Sequence, residues 1–152
     1  MGDLPAGKYY VKEVKTAHGY VLDGEPRYVD LSYRDQDTPV ITYDEKWQNA
    51  RQKVKVTVLK KEKDTERVLA GGVFGLYTSE DIKNAKGEVL LEKDSLIEQR
   101  VTDEKGQITF TADLPVDGKY YVKEIFAPDG FVTTEEVQEF TFEYAGEDQA
   151  EV

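Results

Sequence analysis

The 152-residue chain contains no cysteine. Disulfides, thiolate zinc sites and cysteine nucleophiles are therefore excluded. That suits a cytosolic protein, and equally an exported one held together by some other covalent link. Histidine occurs once, as His18 in a turn beside Gly19. A Ser-His-Asp triad would have to use it, and no nucleophile motif lies nearby, so His18 reads as a solvated turn residue. No run approaches the ~18 apolar residues of a membrane span. Met1-Gly2-Asp3 does not open a signal peptide, and any export signal would lie upstream. Lysine and arginine number 20 against 31 aspartates and glutamates, a net charge of -11. Phosphate contacts need clustered cations, so nucleic acid is not an expected partner; the acidic surface reads as serving solubility. Asp35-Gln36-Asp37 and Glu135-Glu136 lack the spacing of a calcium loop, and Gly71-Gly72 lacks the lysine pattern of a phosphate loop. Neither a metal nor a cofactor is expected.

What the chain does have is a repeat. Asp3-Leu4-Pro5-Ala6-Gly7-Lys8-Tyr9-Tyr10-Val11-Lys12-Glu13 returns as Asp113-Leu114-Pro115-Val116-Asp117-Gly118-Lys119-Tyr120-Tyr121-Val122-Lys123-Glu124, with one extra residue before the glycine. Beyond it the offset settles at 111, pairing Glu13 with Glu124, Gly19-Tyr20-Val21 with Gly130-Phe131-Val132, and Tyr33 with Tyr144. Solenoid units run only to ~50 residues, so this period is that of a whole small domain. Residues 1–49 are expected to be the C-terminal half of one unit, and residues 52–152 a nearly complete second unit lacking its last strand. Hydrophobic content of 39%, with 10 Tyr and 6 Phe, is too high for a disordered chain.

The pattern is β almost throughout. Lys53 to Lys61 alternates cleanly, with Val54, Val56, Val58 and Lys60 on one face and Lys55, Thr57, Leu59 and Lys61 on the other. Further strands are expected at 73–77, 89–92, 96–101, 107–114, 119–127 and 138–144, and in the first unit at 8–14, 27–33 and 40–43. Ser79-Glu80-Asp81-Ile82 has the chemistry to cap one helical turn, and Asn84 to Gly87 that of a turn. Seven or so short strands with regular turn signals imply a β-sandwich or barrel. Trp47, near Tyr43, reads as an anchor of the junction between units in preference to a sugar platform. The lysines at 53, 55, 61 and 63 mark the solvent side of a strand.

Two charged residues break the face rule. Lys60 is in phase with Val54, Val56 and Val58, which directs its amine toward the core. Glu124 is in phase with Tyr120, Val122 and Phe126, and Glu13 repeats this with Tyr9 and Val11. The plainer alternative is that Lys60 reaches back out to water. Burial disfavours the charged form of either kind of group. A neutral amine is a nucleophile, and a protonated carboxyl can shuttle protons. With an asparagine amide, these groups could form a Lys–Asn isopeptide bond and expel ammonia, a cross-link for a chain without cysteine.

Lys60-Lys61-Glu62-Lys63-Asp64-Thr65, followed by Leu69-Ala70-Gly71-Gly72-Val73-Phe74-Gly75-Leu76-Tyr77, resembles the opening of Cna B-type (SpaA-like, prealbumin-like) domains. Thr102-Asp103-Glu104-Lys105-Gly106-Gln107-Ile108-Thr109-Phe110 is similar to their hairpin. Leu114-Pro115 through Gly118-Lys119-Tyr120-Tyr121-Val122-Lys123-Glu124, with Ala127-Pro128-Asp129-Gly130-Phe131, resembles their later signature. Glu62 and Gly72 replace the usual Asp and Ala, and Lys15-Thr16-Ala17-His18-Gly19-Tyr20 lacks the Ala-Pro pair, which leaves that turn less constrained. The resemblance implies an immunoglobulin-like β-sandwich from a secreted, cell wall-anchored Gram-positive pilin or adhesin. It further implies a lysine on the first strand bonded to an Asn or Asp on the last with help from the glutamate. By motif position these are Lys60 and Glu124, the residues that strand phase selects.

The acceptor of the second unit is missing. In the first unit Asn49 occupies its place, with Glu13 as helper; adding the offset puts the counterpart at position 160, beyond Val152. Three readings stay open: the chain is a piece whose neighbouring sequence supplies the missing groups, Asn49 reaches Lys60 of the same chain, or segment 40–52 adds to another molecule. The expected function is a stalk spacer, not an enzyme that turns over. Its expected partners are neighbouring repeats, with host extracellular matrix engaged through other domains and no membrane contact by this segment. The rival is a ligand-binding adhesin module that grips a host protein or glycan through its loops.

Overall fold

The structure is a computed structural model that describes residues 4–35, 40 and 42–152. Alternation sets its main elements. Val54, Val56, Val58 and Lys60 are half-buried, whereas Lys55, Thr57, Leu59 and Lys61 are exposed. Among the described residues the strands are β1 (Lys8–Val11), β2 (Arg27–Asp30), β3 (Val56–Leu59), β4 (Val73–Thr78), β5 (Ile82–Lys83), β6 (Val89–Leu91), β7 (Leu96–Val101), β8 (Gln107–Phe110), β9 (Lys119–Phe126) and β10 (Val137–Thr141). No helix occurs among those residues. The chain divides into two units: one runs to Gln52 and takes in Gly146–Ala150, and the other is Lys53–Ala145 with Glu151–Val152.

The second unit is an immunoglobulin-like β-sandwich. One sheet has the order β10-β9-β4-β7 and the other pairs β3 with β8; β5 and β6 form a separate hairpin. All of these pairings are antiparallel. The inward residues of both sheets form the core: Phe74, Leu76, Tyr120 and Val122 from one, Ile108 and Phe110 from the other, closed by Leu114 and Phe142. On the outer face, a Cβ at Gly75 would lie 2.5 Å from the Tyr77 ring and 2.9 Å from Leu96. Only glycine lets that ring lie against the sheet, stacked on Tyr121 at 5.0 Å.

Three sequence expectations change. Phe126 is 63% exposed, because the β4–β9 register shifts between Val73 and Phe74: Phe74 pairs with Glu124 but Val73 pairs with Phe126. The bulge moves Phe126 out of the inward phase that Tyr120, Val122 and Glu124 keep. Ser79-Glu80-Asp81-Ile82 forms no helical turn. The Thr78 hydroxyl donates to the Glu80 carbonyl and accepts from the Glu80 amide, and this bend delivers Ile82 to β5. The first unit's strands are shorter than expected, ending at Val11 and Asp30. The expected strand at 40–43 includes Ile41, which lies outside the described residues, as do Asp3, Gln36 and Asp37; Val40, Thr42 and Tyr43 join no strand.

In the first unit β1 pairs with β2 antiparallel, from Lys8 opposite Asp30 to Val11 opposite Arg27. Gln52 is buried there, and its amide nitrogen donates to the carbonyls of Gly146 (3.0 Å) and Gln149 (2.7 Å). Both units carry one local device at matching places. Tyr9 Oη donates to the Pro5 carbonyl at 2.7 Å, and Tyr120 Oη to the Pro115 carbonyl at 2.8 Å. In the second unit the extra residue, Asp117, adopts φ 62°, and a Cβ on Gly118 would sit 2.3 Å from Tyr120 Oη.

Burial, with a contribution from the Glu80 carboxylate, pushes the Tyr120 phenol up to about 12 from its ordinary 10. The unfolded chain therefore loses this proton first. Tyr120 contributes its full stabilisation below about pH 10 and loses it as the pH rises through about 12. Thermal melts across that range should fall more steeply for the native chain than for Tyr120→Phe; parallel slopes would refute this. At the β7 edge of the same sheet, Glu98 accepts from Arg100 Nε (2.7 Å) and from the amides of Thr111 and Ala112 (2.8 Å each). Burial alone would raise this carboxyl, but Arg100 and the two amides outweigh it and hold it below its ordinary value. The linkage has the opposite sign: stabilisation is present above the ordinary carboxylate range and is lost as the pH falls through the depressed value. Glu98→Gln should cost about 1–3 kcal/mol at neutral pH, a deficit that denaturant titration should find vanishing in acid.

Candidate functional site

Lys60 immediately follows β3, and its backbone is pinned from two sides. Its amide donates to the Gly106 carbonyl at 2.8 Å, and its carbonyl accepts from the Leu69 amide at 3.0 Å. Gly106 has φ 69°, and a Cβ there would sit 2.7 Å from the Lys60 carbonyl oxygen. The glycine of the hairpin therefore permits the approach that fixes Lys60. The amine lies 2.9 Å from Glu124 Oε1, with the Lys60 side chain 19% exposed and that of Glu124 fully buried. The other carboxylate oxygen accepts from the Thr134 amide at 2.9 Å.

This ion pair lies along a groove of about 580 Å³, walled by Val56 and Val58 on one side and by Gln138 and Phe140 on the other, over Phe74 and Val122. The groove follows the free edge of β3, since that sheet has only two strands. Lys60 turns its amide to Gly106, whereas the Lys55 amide donates to the Val152 carbonyl at 2.8 Å. By strand alternation the amides of Thr57 and Leu59 share the Lys55 edge and face the groove. Glu151 forms a parallel bridge with Lys53, and the Val152 amide donates to the Lys53 carbonyl at 2.9 Å.

The first unit holds the other pair. Glu13 Oε2 accepts from Asn49 Nδ2 at 2.6 Å and from the Asp23 amide at 2.9 Å. The same Asn49 nitrogen donates to the Val21 carbonyl at 3.0 Å. Asp23 and Thr134 differ by the repeat offset, so each glutamate accepts from the backbone at the same place. The adjoining turns also match: Tyr20 donates to Ala17 at 3.1 Å and Phe131 to Pro128 at 3.0 Å, with Gly19 and Gly130 both at φ 85°. The turn without the Ala-Pro pair closes in the same way as the turn that has it.

The four sequence-selected residues thus meet as two pairs, Lys60 with Glu124 and Glu13 with Asn49. No lysine amine lies within ion-pair distance of Glu13 among the described residues. The chain's other asparagine, Asn84, sits in the β5–β6 turn bonded to Glu88. Trp47 lies beneath the Arg27 guanidinium, 4.7 Å from its ring centre. Arg27 in turn binds Asp23 at 3.0 Å and Glu45, and the two carboxylates hold its already high pKa higher still. The supporting groups at Asp23, Thr134, Val21 and Gly106 escape a reading of side chains, because all act through the backbone. Only the offset linking 23 to 134 points to any of them.

Removing one member of a buried ion pair leaves an uncompensated charge and costs ~3 kcal/mol or more, whereas replacing both with apolar groups is far cheaper. Lys60→Met should therefore destabilise the second unit more than Lys60→Met combined with Glu124→Leu. Urea titration of both variants tests this, and a double variant weaker than the single would contradict it.

The chain matches the family described as SpaA, prealbumin-like fold domain, over residues 1–47 and 54–152. Among solved structures it is similar to the Bacillus anthracis TIE protein, with 28% identity and a TM-score of 0.64 over 100% of this chain and 25% of that one. It is also similar to the group B streptococcus pilus 2b backbone protein, with 19% identity and a TM-score of 0.47 over 93% of this chain and 43% of that one. The shaft pilin SpaA of Lactobacillus rhamnosus GG gives 17% identity and a TM-score of 0.45 over 91% and 61%. The chain thus spans only a quarter of the length of the first and less than two thirds of the others. No curated protein matches it. With the family matched over nearly all of its length, and with the sandwich and repeated motifs described above, the chain belongs to the SpaA-type domains of prealbumin-like fold.

Proposed function

We propose that the chain is a stalk segment of a Gram-positive surface protein, a pilin or an adhesin, whose units are braced by Lys–Asn isopeptide bonds. Residues 1–49 are the C-terminal half of one repeat, and 52–152 a second repeat short of its last strand. Its partners are neighbouring repeats, and its place is the cell wall surface. Membership of the SpaA family of prealbumin-like fold supports this reading. The observation that carries it is that two equivalent glutamates, related by the repeat, hold complementary halves of one reaction: Lys60 lies 2.9 Å from Glu124, and the Asn49 amide 2.6 Å from Glu13.

Superposing the halves through the repeat gives the chemistry. A proton passes from the lysine amine to the glutamate, leaving both uncharged inside an apolar wall. The amine attacks the asparagine Cγ, the glutamate returns the proton to the departing nitrogen, and ammonia leaves. Lys60 is the nucleophile of the second unit and Glu124 its proton shuttle; Asn49 is the electrophile of the first, with Glu13 as its shuttle. The amide nitrogen of Asn49 is the atom turned toward Glu13, which suits a carboxyl that must protonate a leaving group. Each unit reacts once, so there is no turnover.

The test is to append the sequence of Thr42–Gln52 after Val152, which places its asparagine at position 160. The denatured chain should be lighter by one ammonia, and the deficit should disappear in Lys60→Ala and in Glu124→Ala. An unshifted mass in the folded, appended chain overturns the reading.

A further inference from the structure

We propose that the outer face of the four-stranded sheet carries a binding site for a neutral glycan, in the hollow lined by Lys119, Glu139 and Thr141 and bordered by the stacked rings of Tyr77 and Tyr121. The site is separate from the Lys60–Glu124 pair, which lies on the inward side of that sheet, and it does not depend on the isopeptide chemistry.

Strand register builds it. Tyr120 and Val122 fill the core, so Lys119 and Tyr121 face outward. Glu139 pairs with Tyr121 and Thr141 with Lys119. On the other side of β9, Tyr77 pairs with Tyr121, and the Ser79 amide donates to the Lys119 carbonyl at 2.8 Å. Two neighbouring rows therefore cross the sheet, Tyr77–Tyr121–Glu139 and Ser79–Lys119–Thr141. In the first, the rings stack with centres 5.0 Å apart, and the Tyr121 hydroxyl donates to Asp94 at 3.2 Å. At the second lies a hollow of about 440 Å³, which Glu143 also lines, a size within the roughly 300–1,000 Å³ of small-molecule sites. Because β9 is paired on both sides, this face offers a ligand side chains and no open ladder for an added peptide strand.

The groups around the hollow select the ligand. Among the described residues, Lys119, Glu139 and Glu143 make no ion pair. An amine and two carboxylates thus stand around one small space, where an anion meets the carboxylates and a cation meets the amine. A neutral polyol avoids both conflicts, because each hydroxyl donates and accepts: it gives to Glu139 or Glu143 and takes from Lys119. The Ser79 hydroxyl oxygen is buried without a hydrogen-bond partner, an uncommon state for a polar atom, and a ligand hydroxyl would complete it. Beside these groups the tyrosine pair supplies an apolar surface for the C–H face of a pyranose ring. A sugar joins these two kinds of surface in one uncharged molecule.

The test is to follow the amide NMR shifts of the isotope-labelled chain during titration with lactose, maltotriose, mannobiose and chitobiose. Sialyllactose and tetralysine serve as anionic and cationic comparisons. At least one neutral sugar should give saturable shifts at Lys119, Tyr121, Glu139 and Thr141 at millimolar concentration. Tyr121→Leu and Glu139→Ala should each weaken that binding about tenfold. Glu135→Ala, which removes the carboxylate held by Lys123 at 3.1 Å outside the hollow, should leave it unchanged. Lys119→Ala, at an exposed position, serves if Tyr121→Leu does not fold. Absence of saturable shifts at this face with all four neutral sugars would overturn the proposal. So would binding that survives both Tyr121→Leu and Glu139→Ala, or a response to sialyllactose or tetralysine alone.

Discussion

The inward phase of β9 is the constraint on which the second unit depends. Tyr120, Val122 and Glu124 point into the sandwich because every second residue of a strand must. Two of them build the core, and the third is a charge with no access to water. A carboxylate in that position requires a cation, and the same rule applied to the first strand supplies Lys60. The pair follows from the pleat, with the hairpin glycine at 106 and the backbone at 134 fixing its two ends. Fully buried apolar side chains such as Leu76 and Phe142 contribute about 1.5–3 kcal/mol each, so the core stabilises the unit. The ion pair carries a desolvation cost that the core offsets.

Much of this was legible in the sequence because it rests on period and repetition. The alternation from Val54 to Lys60, the turns at Gly87 and Gly130 and the matched glutamates are all patterns of period or repetition, and the second unit's strands overlap the places they imply. Phe126 was not legible: its phase depends on a bulge set by a different strand, β4. The helical turn that Ser79-Glu80-Asp81-Ile82 implies does not form, because the hydroxyl of the preceding Thr78 closes a bend on Glu80 and Ile82 pairs in β5 with β6. Glu98 and Gln52 are not legible in the sequence, since a single polar residue shows nothing of a partner that is distant along the chain.

The two units also show what the repeat preserves and what it leaves free. The tyrosine–proline hydrogen bond, the backbone donor to the glutamate and the left-handed glycine recur, despite the extra residue at 117 and the lost Ala-Pro pair. The outer face differs, with Tyr121 stacked on Tyr77 in one unit and Tyr10 tilted 6.0 Å from Tyr28 in the other. Geometry around the glutamate is retained where it positions a carboxyl, and composition drifts on the outward face.

The parallel bridge between Lys53 and Glu151 sets two segments of the second unit running the same way. When two neighbouring strands run in the same direction, tension applied to the start of one and the finish of the other drags them lengthwise past each other. Their hydrogen bonds are then strained together, in shear, and do not open one after another like a zip. A covalent tie across strands arranged in this way would carry the pull itself, so the chain could be held taut while the sandwich behind it stays unstrained.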